Sequence, residues 1–98
     1  MRIDADTKEL LVQGRQRLTE YGWCQKRLQD LSGRCCALGS MLSTGELTTK
    51  EELRAYRNAE RALIEAAGEG WFSVVDWNDV PGRTFEEIIA GFDKAIAS

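Results

Sequence analysis

The fold class of this chain depends on one stretch, residues 71–77, which reads Trp-Phe-Ser-Val-Val-Asp-Trp. Its aromatic and β-branched side chains favour a strand, whereas Ser73 and Asp76 are typical of a helix start. No second strand-like run is evident in the sequence, and an isolated strand is not stable. We therefore interpret the stretch as a short helical turn and the protein as all-α, with little or no sheet.

The first predicted helix lies upstream and begins with a capping-box pattern, Asp-Thr-Lys-Glu, at residues 6–9. It continues to about Tyr21, and Gly22 is its natural C-cap. Its apolar residues recur at helical spacing: Leu10, Leu11, Gly14, Leu18 and Tyr21.

Two further capping boxes predict the longest helix and the last helix. Thr49 and Glu52 mark the start of the longest helix, which ends at Gly68 and Gly70. Residues 84–87, Thr-Phe-Glu-Glu, start the last helix. The expected apolar faces are Leu53, Tyr56, Ala59, Leu63 and Ala66 in the longest helix, and Phe85, Ile88, Ile89, Phe92 and Ile96 in the last.

The segment between the first and the longest helix is expected to be partly irregular. Residues 23–34 have no helical stripe and end in a Ser-Gly turn signal. A short, largely buried second helix should follow and end near Gly45, with Cys35, Leu38, Gly39 and Leu42 on one face. We therefore predict one compact domain over residues 1–98, made of four to five short helices.

The composition excludes several kinds of chemistry. The 98 residues contain no histidine, so Ser-His-Asp and Cys-His catalysis are excluded within one chain. Three cysteines cannot fill a tetrahedral zinc site by themselves. Cys24, Cys35 and Cys36 lack the spacing of a disulfide framework, so we expect reduced, buried thiols.

Charge and hydropathy indicate a cytoplasmic protein. The longest charge-free stretches are far shorter than the roughly 20 residues of a membrane span, and the N-terminus has no apolar segment of a secretory signal. The formal net charge is −3, and residues 69–98 hold six acids against two bases. An acidic chain without an arginine-rich tract is poorly suited to grip a phosphate backbone.

The densest group of candidate binding residues lies between residues 77 and 84. Arg83 and the free backbone donors near Thr84 could receive an anionic group at the start of the last helix. In the structural alternative, which we favour, Asn78 or Asp79 closes an Asx-turn, Thr84 caps the helix and Trp77 anchors the loop in the core.

A basic cluster earlier in the chain is a second candidate surface. It consists of Arg15, Arg17, Lys26, Arg27 and Arg34. Acids stand close by in the sequence, and no exposed aromatic residues interleave with the bases, so a solvated helix face explains the cluster better than nucleic-acid binding.

Three sequence boxes stand out in the chain: GWCQ at residues 22–25, CALGSML at 36–42 and WND-x-PGRT at 77–84. Together they resemble a small domain-of-unknown-function family of actinobacteria and their phages. Their order and spacing agree over most of the chain, although the connection between Trp23 and Cys35 is short and free of proline. The resemblance implies a helical domain from an actinobacterium or a phage, and it transfers no catalytic residues.

These observations favour a non-enzymatic protein-interaction module that binds an unidentified protein. If the chain is encoded by a phage, that partner is a protein of the bacterial host. The alternatives are a small-ligand or nucleotide-binding domain that uses residues 77–84, and a nucleic-acid-binding domain that uses the basic cluster. We predict no catalytic residue, no metal and no cofactor, and a homo-oligomer is compatible with the sequence.

Overall fold

The structure, a computed structural model, describes residues 3–42, 49–68 and 70–98. These residues form five helices, in order α1 (Ala5–Tyr21), α2 (Ala37–Met41), α3 (Lys50–Ala67), α4 (Val74–Asn78) and α5 (Phe85–Ala97). Within these ranges there is no strand, only isolated bridges that join Cys35 to Trp23 and to Gln29. The all-α prediction is confirmed, and the helical interpretation of residues 71–77 is confirmed for residues 74–77, which lie in α4.

The core forms where α1, α3 and α5 pack together. Its largest fully buried apolar side chains are Leu11, Leu18, Met41, Leu63, Val74, Ile88 and Phe92. The two short helices close this core because α2 packs against α1 and α4 packs against both α2 and α3. Burial in the same region raises the pKa of Tyr56 to about 12.

The helix starts follow capping chemistry, with one correction. Thr49 and Thr84 cap α3 and α5 as predicted. The prediction that α1 starts at residue 6 is wrong, because Asp4 is the N-cap and accepts a 2.8 Å hydrogen bond from the Thr7 N–H. Thr7, in the first turn of α1, is buried.

The predicted face and end of the second helix are also wrong. Cys35 precedes α2, and Cys36 caps it by accepting a 3.3 Å hydrogen bond from the Gly39 N–H. The helix ends at Met41, while Gly45 lies outside the described residues. The buried residues are Ala37, Gly39, Ser40 and Met41, because α2 packs against α1 and Gly39 lies against the Leu28 carbonyl of the irregular segment, residues 23–34.

Close backbone approaches explain two of the glycines. A Cβ at Gly39 would overlap the carbonyl oxygen of Leu28. A Cβ at Gly91 in α5 would lie 2.6 Å from Cη2 of Trp77. The irregular segment and α4 are thus held tightly against the helices beside them.

Two members of the predicted apolar faces lie at the surface. Tyr21 at the end of α1 is exposed, and so is Leu53 in the second turn of α3. The face of α3 that contacts the core is instead lined by Ala55, Ala59, Ala62 and Leu63. Small residues predominate there because α3 packs closely against α1 and α5.

Candidate functional site

Asn78, at the end of α4, is fully buried and uses its whole amide group. Its Oδ1 accepts hydrogen bonds from Trp23 Nε1 at 2.7 Å and from the Ala37 N–H at 2.9 Å. Its Nδ2 donates to the Cys24 carbonyl at 3.1 Å and to Asp79 Oδ1 at 2.9 Å. Two acceptor sites and two donors are the full capacity of an amide side chain. Asn78 therefore ties the irregular segment and the start of α2 to α4.

Asp79 and Gln25 extend this connection. Asp79 Oδ1 accepts a 2.8 Å hydrogen bond from the N–H of Lys26, whose backbone has a positive φ of 70°. Gln25 Nε2 donates to the carbonyls of Asn78 and Val80 at 3.0 and 2.9 Å. We call Trp23, Gln25, Ala37, Asn78 and Asp79 the Asn78 cluster.

The prediction that Asn78 or Asp79 closes an Asx-turn is therefore wrong. The side chains of Asn78 and Asp79 bond mainly to groups more than forty residues away in the chain. An Asx-turn would have used a backbone group two residues further on. Because α4 packs against the irregular segment, the polar groups of that segment come within hydrogen-bond distance of Asn78 and Asp79.

Arg83 is held in place by its neighbours. Its Nε donates to the Trp77 carbonyl at 3.0 Å, and its Nη1 donates to Glu87 Oε2 at 3.1 Å. Its guanidinium lies over two indole rings, 5.2 Å from the centroid of Trp71 and 5.8 Å from that of Trp77. Cation–π contacts of this kind stabilise a charged group that is mostly withdrawn from water. The predicted anchoring role of Trp77 is confirmed, since that side chain is buried.

The start of α5 already holds a carboxylate. The Thr84 N–H donates to Glu87 Oε1 at 2.9 Å, and Thr84 Oγ1 accepts from the Glu87 N–H at 3.2 Å. The backbone hydrogen bond from Thr84 lowers the pKa of Glu87, and the side chains of Thr84 and Arg83 lower it further. Two of the donors to which a ligand was expected to bind, on Arg83 and Thr84, thus contact Glu87. The small-ligand alternative stays a prediction.

The three cysteines are free thiols beside the Asn78 cluster. Cys35 and Cys36 are buried, and Cys24 is half-buried with its Sγ 3.3 Å from the Arg34 carbonyl. Burial raises the pKa of all three thiols above the ordinary value. A raised pKa keeps a thiol protonated and a poor nucleophile. Within the described ranges, no group of three or more acidic or cysteine side chains is placed to hold a metal ion.

A shallow groove lies on the outer side of α4. Its volume is about 460 Å³, and we call it the α4 groove; it is lined by Ser73, Val75, Asp76, Asp79, Val80 and Pro81. Phe72 precedes it, joined to Asp76 by a 3.4 Å hydrogen bond from the Phe72 N–H. The Phe72 residue is 97% exposed and Val75 is 38% exposed.

Two members of the predicted basic cluster pair with acids. Arg15 pairs with Asp93 of α5, and Arg34 pairs with Asp30. The nucleic-acid alternative stays a prediction, and these two ion pairs balance part of the positive charge of the basic cluster. No helix in the part of the chain that the structure describes is long and apolar enough to span a membrane.

The Asn78 cluster brings together residues from all three sequence boxes, and these contacts were not predicted from the sequence. Asn78 was singled out within its own box, but its bonds to Trp23 of the first box and Ala37 of the second were not predicted. No signal in the sequence indicated these contacts, since they join residues more than forty positions apart.

The fold and the cluster define a small all-α domain in which a buried amide connects three chain segments. A protein-family model matches residues 2–98, and its description is "Family of unknown function (DUF6197)". The chain belongs to this family. No curated protein and no solved structure matches the chain. The match confirms a family of unknown function, whereas the actinobacterial or phage source stays a prediction.

Proposed function

We propose that this protein is a non-enzymatic protein-interaction module whose contact surface is the α4 groove together with Phe72. The observation that carries the proposal is the 97% exposure of Phe72 beside a groove with further apolar side chains. Aromatic side chains are enriched among the residues that dominate binding energy at protein interfaces.

The support beneath this surface is rigid, which favours binding. α4 is anchored by Trp77 in the core and by the hydrogen bonds of Asn78. Contact residues on a fixed support lose little conformational entropy when a partner binds. A surface held in this way is preorganised for recognition.

The chemistry of the α4 groove defines the partner. Val75, Val80 and Pro81 offer apolar contacts, while Asp76 and Asp79 add negative charge. The partner is a protein segment with an apolar side chain to cover Phe72 and a basic side chain near the two carboxylates. The resemblance of the three boxes to an actinobacterial and phage family supports a bacterial host protein as the partner, and the free thiols support a cytoplasmic setting.

Photo-crosslinking tests the proposal. A photoreactive phenylalanine analogue replaces Phe72 in one sample and Leu31, which is fully exposed on the irregular segment, in the other. In an actinobacterial lysate we expect one specific crosslinked protein from position 72 and none from position 31. Phe72→Ala should abolish capture of that protein by the unlabelled chain, and Leu31→Ala should leave it intact. Equal capture by both variants, or no crosslink at position 72, would refute the proposed surface.

A further inference from the structure

The outer face of α3 carries a row of positive charge that the proposed function does not use. Four basic residues recur at intervals of four, three and four positions, which places them along one face of a helix. We call them the α3 stripe: Lys50, Arg54, Arg57 and Arg61. The buried residues of α3 lie on the opposite face. The stripe therefore points into solvent over about 17 Å of helix.

The charge of the stripe is not neutralised by ion pairs among the described residues. All four side chains are exposed. The salt bridges found within residues 3–42, 49–68 and 70–98 use other arginines, namely Arg15, Arg34 and Arg83. The hydrogen bonds of Thr7 lower the pKa of Asp4, and the charge of Arg54 lowers it a little further.

Neighbouring cations of the stripe lie three or four positions apart and repel each other. Acids at the same spacing, Glu51, Glu60 and Glu65, offset part of this repulsion. An anionic partner would gain attraction at several positions of the stripe at once.

The stripe also has a shape that can accept a chain segment. A shallow depression of about 300 Å³ runs along it, lined by the four basic residues with Leu53 and Asn58. Leu53 is the residue that the sequence pattern placed in the core and that the structure leaves 38% exposed. An apolar contact within a basic depression matches an amphipathic polypeptide.

We propose that the α3 stripe binds an acidic amphipathic segment of a partner protein. Charge complementarity supports this partner, with acidic side chains opposite the bases and one apolar side chain over Leu53. A polypeptide suits the site better than a nucleic acid because Leu53 interrupts the charge and the whole chain carries a net charge of −3. The surface is separate from the α4 groove, so the two proposals stand or fall independently.

Fluorescence anisotropy tests this proposal with defined probes. The first probe is a labelled helical peptide with glutamates at intervals of four and three positions and one leucine, and the second has lysines in place of the glutamates. The third probe is a labelled DNA duplex. Arg54→Gln/Arg57→Gln removes half of the stripe, and Lys8→Gln/Arg27→Gln removes two exposed bases elsewhere. Circular dichroism verifies that both variants remain folded.

We expect the acidic peptide to bind, and the stripe variant to weaken its affinity about tenfold while the control variant changes it less than about twofold. The affinity should fall as salt is raised, because exposed charges contribute. Leu53→Ser should weaken binding further, which a purely electrostatic contact would not show.

Three results would overturn the proposal. They are absence of peptide binding, equal weakening by the two double variants, and tighter binding of the DNA duplex than of the acidic peptide. Sedimentation velocity adds a further check, since self-association that the stripe variant abolishes would assign the surface to a second copy of this chain. None of these results depends on Phe72, so the proposed function is tested separately.

Discussion

Replacing Asn78 by alanine removes the group that connects the irregular segment and α2 to α4. The substitution leaves two donors without their acceptor, Trp23 Nε1 and the Ala37 N–H, and it leaves the Cys24 carbonyl without a donor. A buried polar group that loses its partner costs roughly 1–3 kcal/mol. The Ala37 N–H is buried, whereas Trp23 is only half-buried and can recover part of its loss from water.

The expected loss in the free energy of unfolding is therefore about 3–4 kcal/mol. This is a large share of the total for a domain of this size, which is typically roughly 5–15 kcal/mol. Urea unfolding followed by tryptophan fluorescence measures the loss, and an unchanged dependence on denaturant would show that the folded state stays compact.

Asn58→Ala provides a matched control because Asn58 lies on the outer side of α3. Alanine favours the helix there, so the control should change stability by less than about 0.5 kcal/mol. Amide hydrogen exchange at Ala37 should accelerate in Asn78→Ala and stay unchanged in the control. A loss below about 1 kcal/mol for Asn78→Ala would refute the argument, since it would mean that the four hydrogen bonds are replaced at little cost.

Three further predictions concern the core and the helix starts. Trp77→Ala should lower the free energy of unfolding by about 3–5 kcal/mol, while Phe72→Ala, which removes an exposed aromatic ring, should be nearly neutral in the same thermal or urea denaturation. Asp4→Ala should lower the free energy of unfolding by about 1 kcal/mol in urea, because Asp4 caps α1 by accepting the hydrogen bond of the Thr7 N–H; an unchanged stability would contradict this. The lowered pKa of Glu87 means that its contribution to stability is present above the ordinary value of 4.5 and is lost as the pH falls through the lower folded-state value. Glu87→Gln keeps the capping hydrogen bonds but removes the titrating carboxyl, so it should flatten this part of the pH profile of thermal stability; a profile identical to that of the unchanged protein would show that the charge of Glu87 does not contribute.

Local patterns in the sequence predicted much of the fold because helix starts use nearby groups. Thr49 and Thr84 accept hydrogen bonds from backbone N–H groups three residues further on, so both partners are visible in a short stretch. Residues 71–77 were interpreted correctly because Ser73 caps α4 in the same way, through the N–H of Asp76.

The predictions were wrong where the local sequence was compatible with two arrangements of a helix. Asp4 and Asp6 can both cap a helix, and in the structure Asp4 is the cap, with Thr7 buried in the first turn. Leu53 fits the apolar face of an isolated α3, but the close packing of Ala55, Ala59 and Ala62 rotates the core-facing side away from it. In both cases the choice depends on which surface the rest of the chain covers.

The candidate site shows the same division. The sequence identified Trp77, Asn78, Asp79, Arg83 and Thr84 as a group, and for Thr84 it also predicted the correct role. It could not show that Asn78 bonds to Trp23 and Ala37, because these contacts join residues 55 and 41 positions apart. It also could not show that Phe72 is exposed.

The sequence by itself determined the fold class, the starts of α3 and α5, the ends of α1 and α3, and the chemistries that a chain without histidine cannot perform. Capping and helical periodicity involve residues that are close in the chain, so both can be recognised in a short stretch of sequence. Only the tertiary structure decided which groups bond to Asn78, which groups take the donors of Arg83, and that Phe72 and Leu53 are exposed. These features depend on how segments that are distant in the chain pack together in the core, and a local sequence pattern does not show that packing.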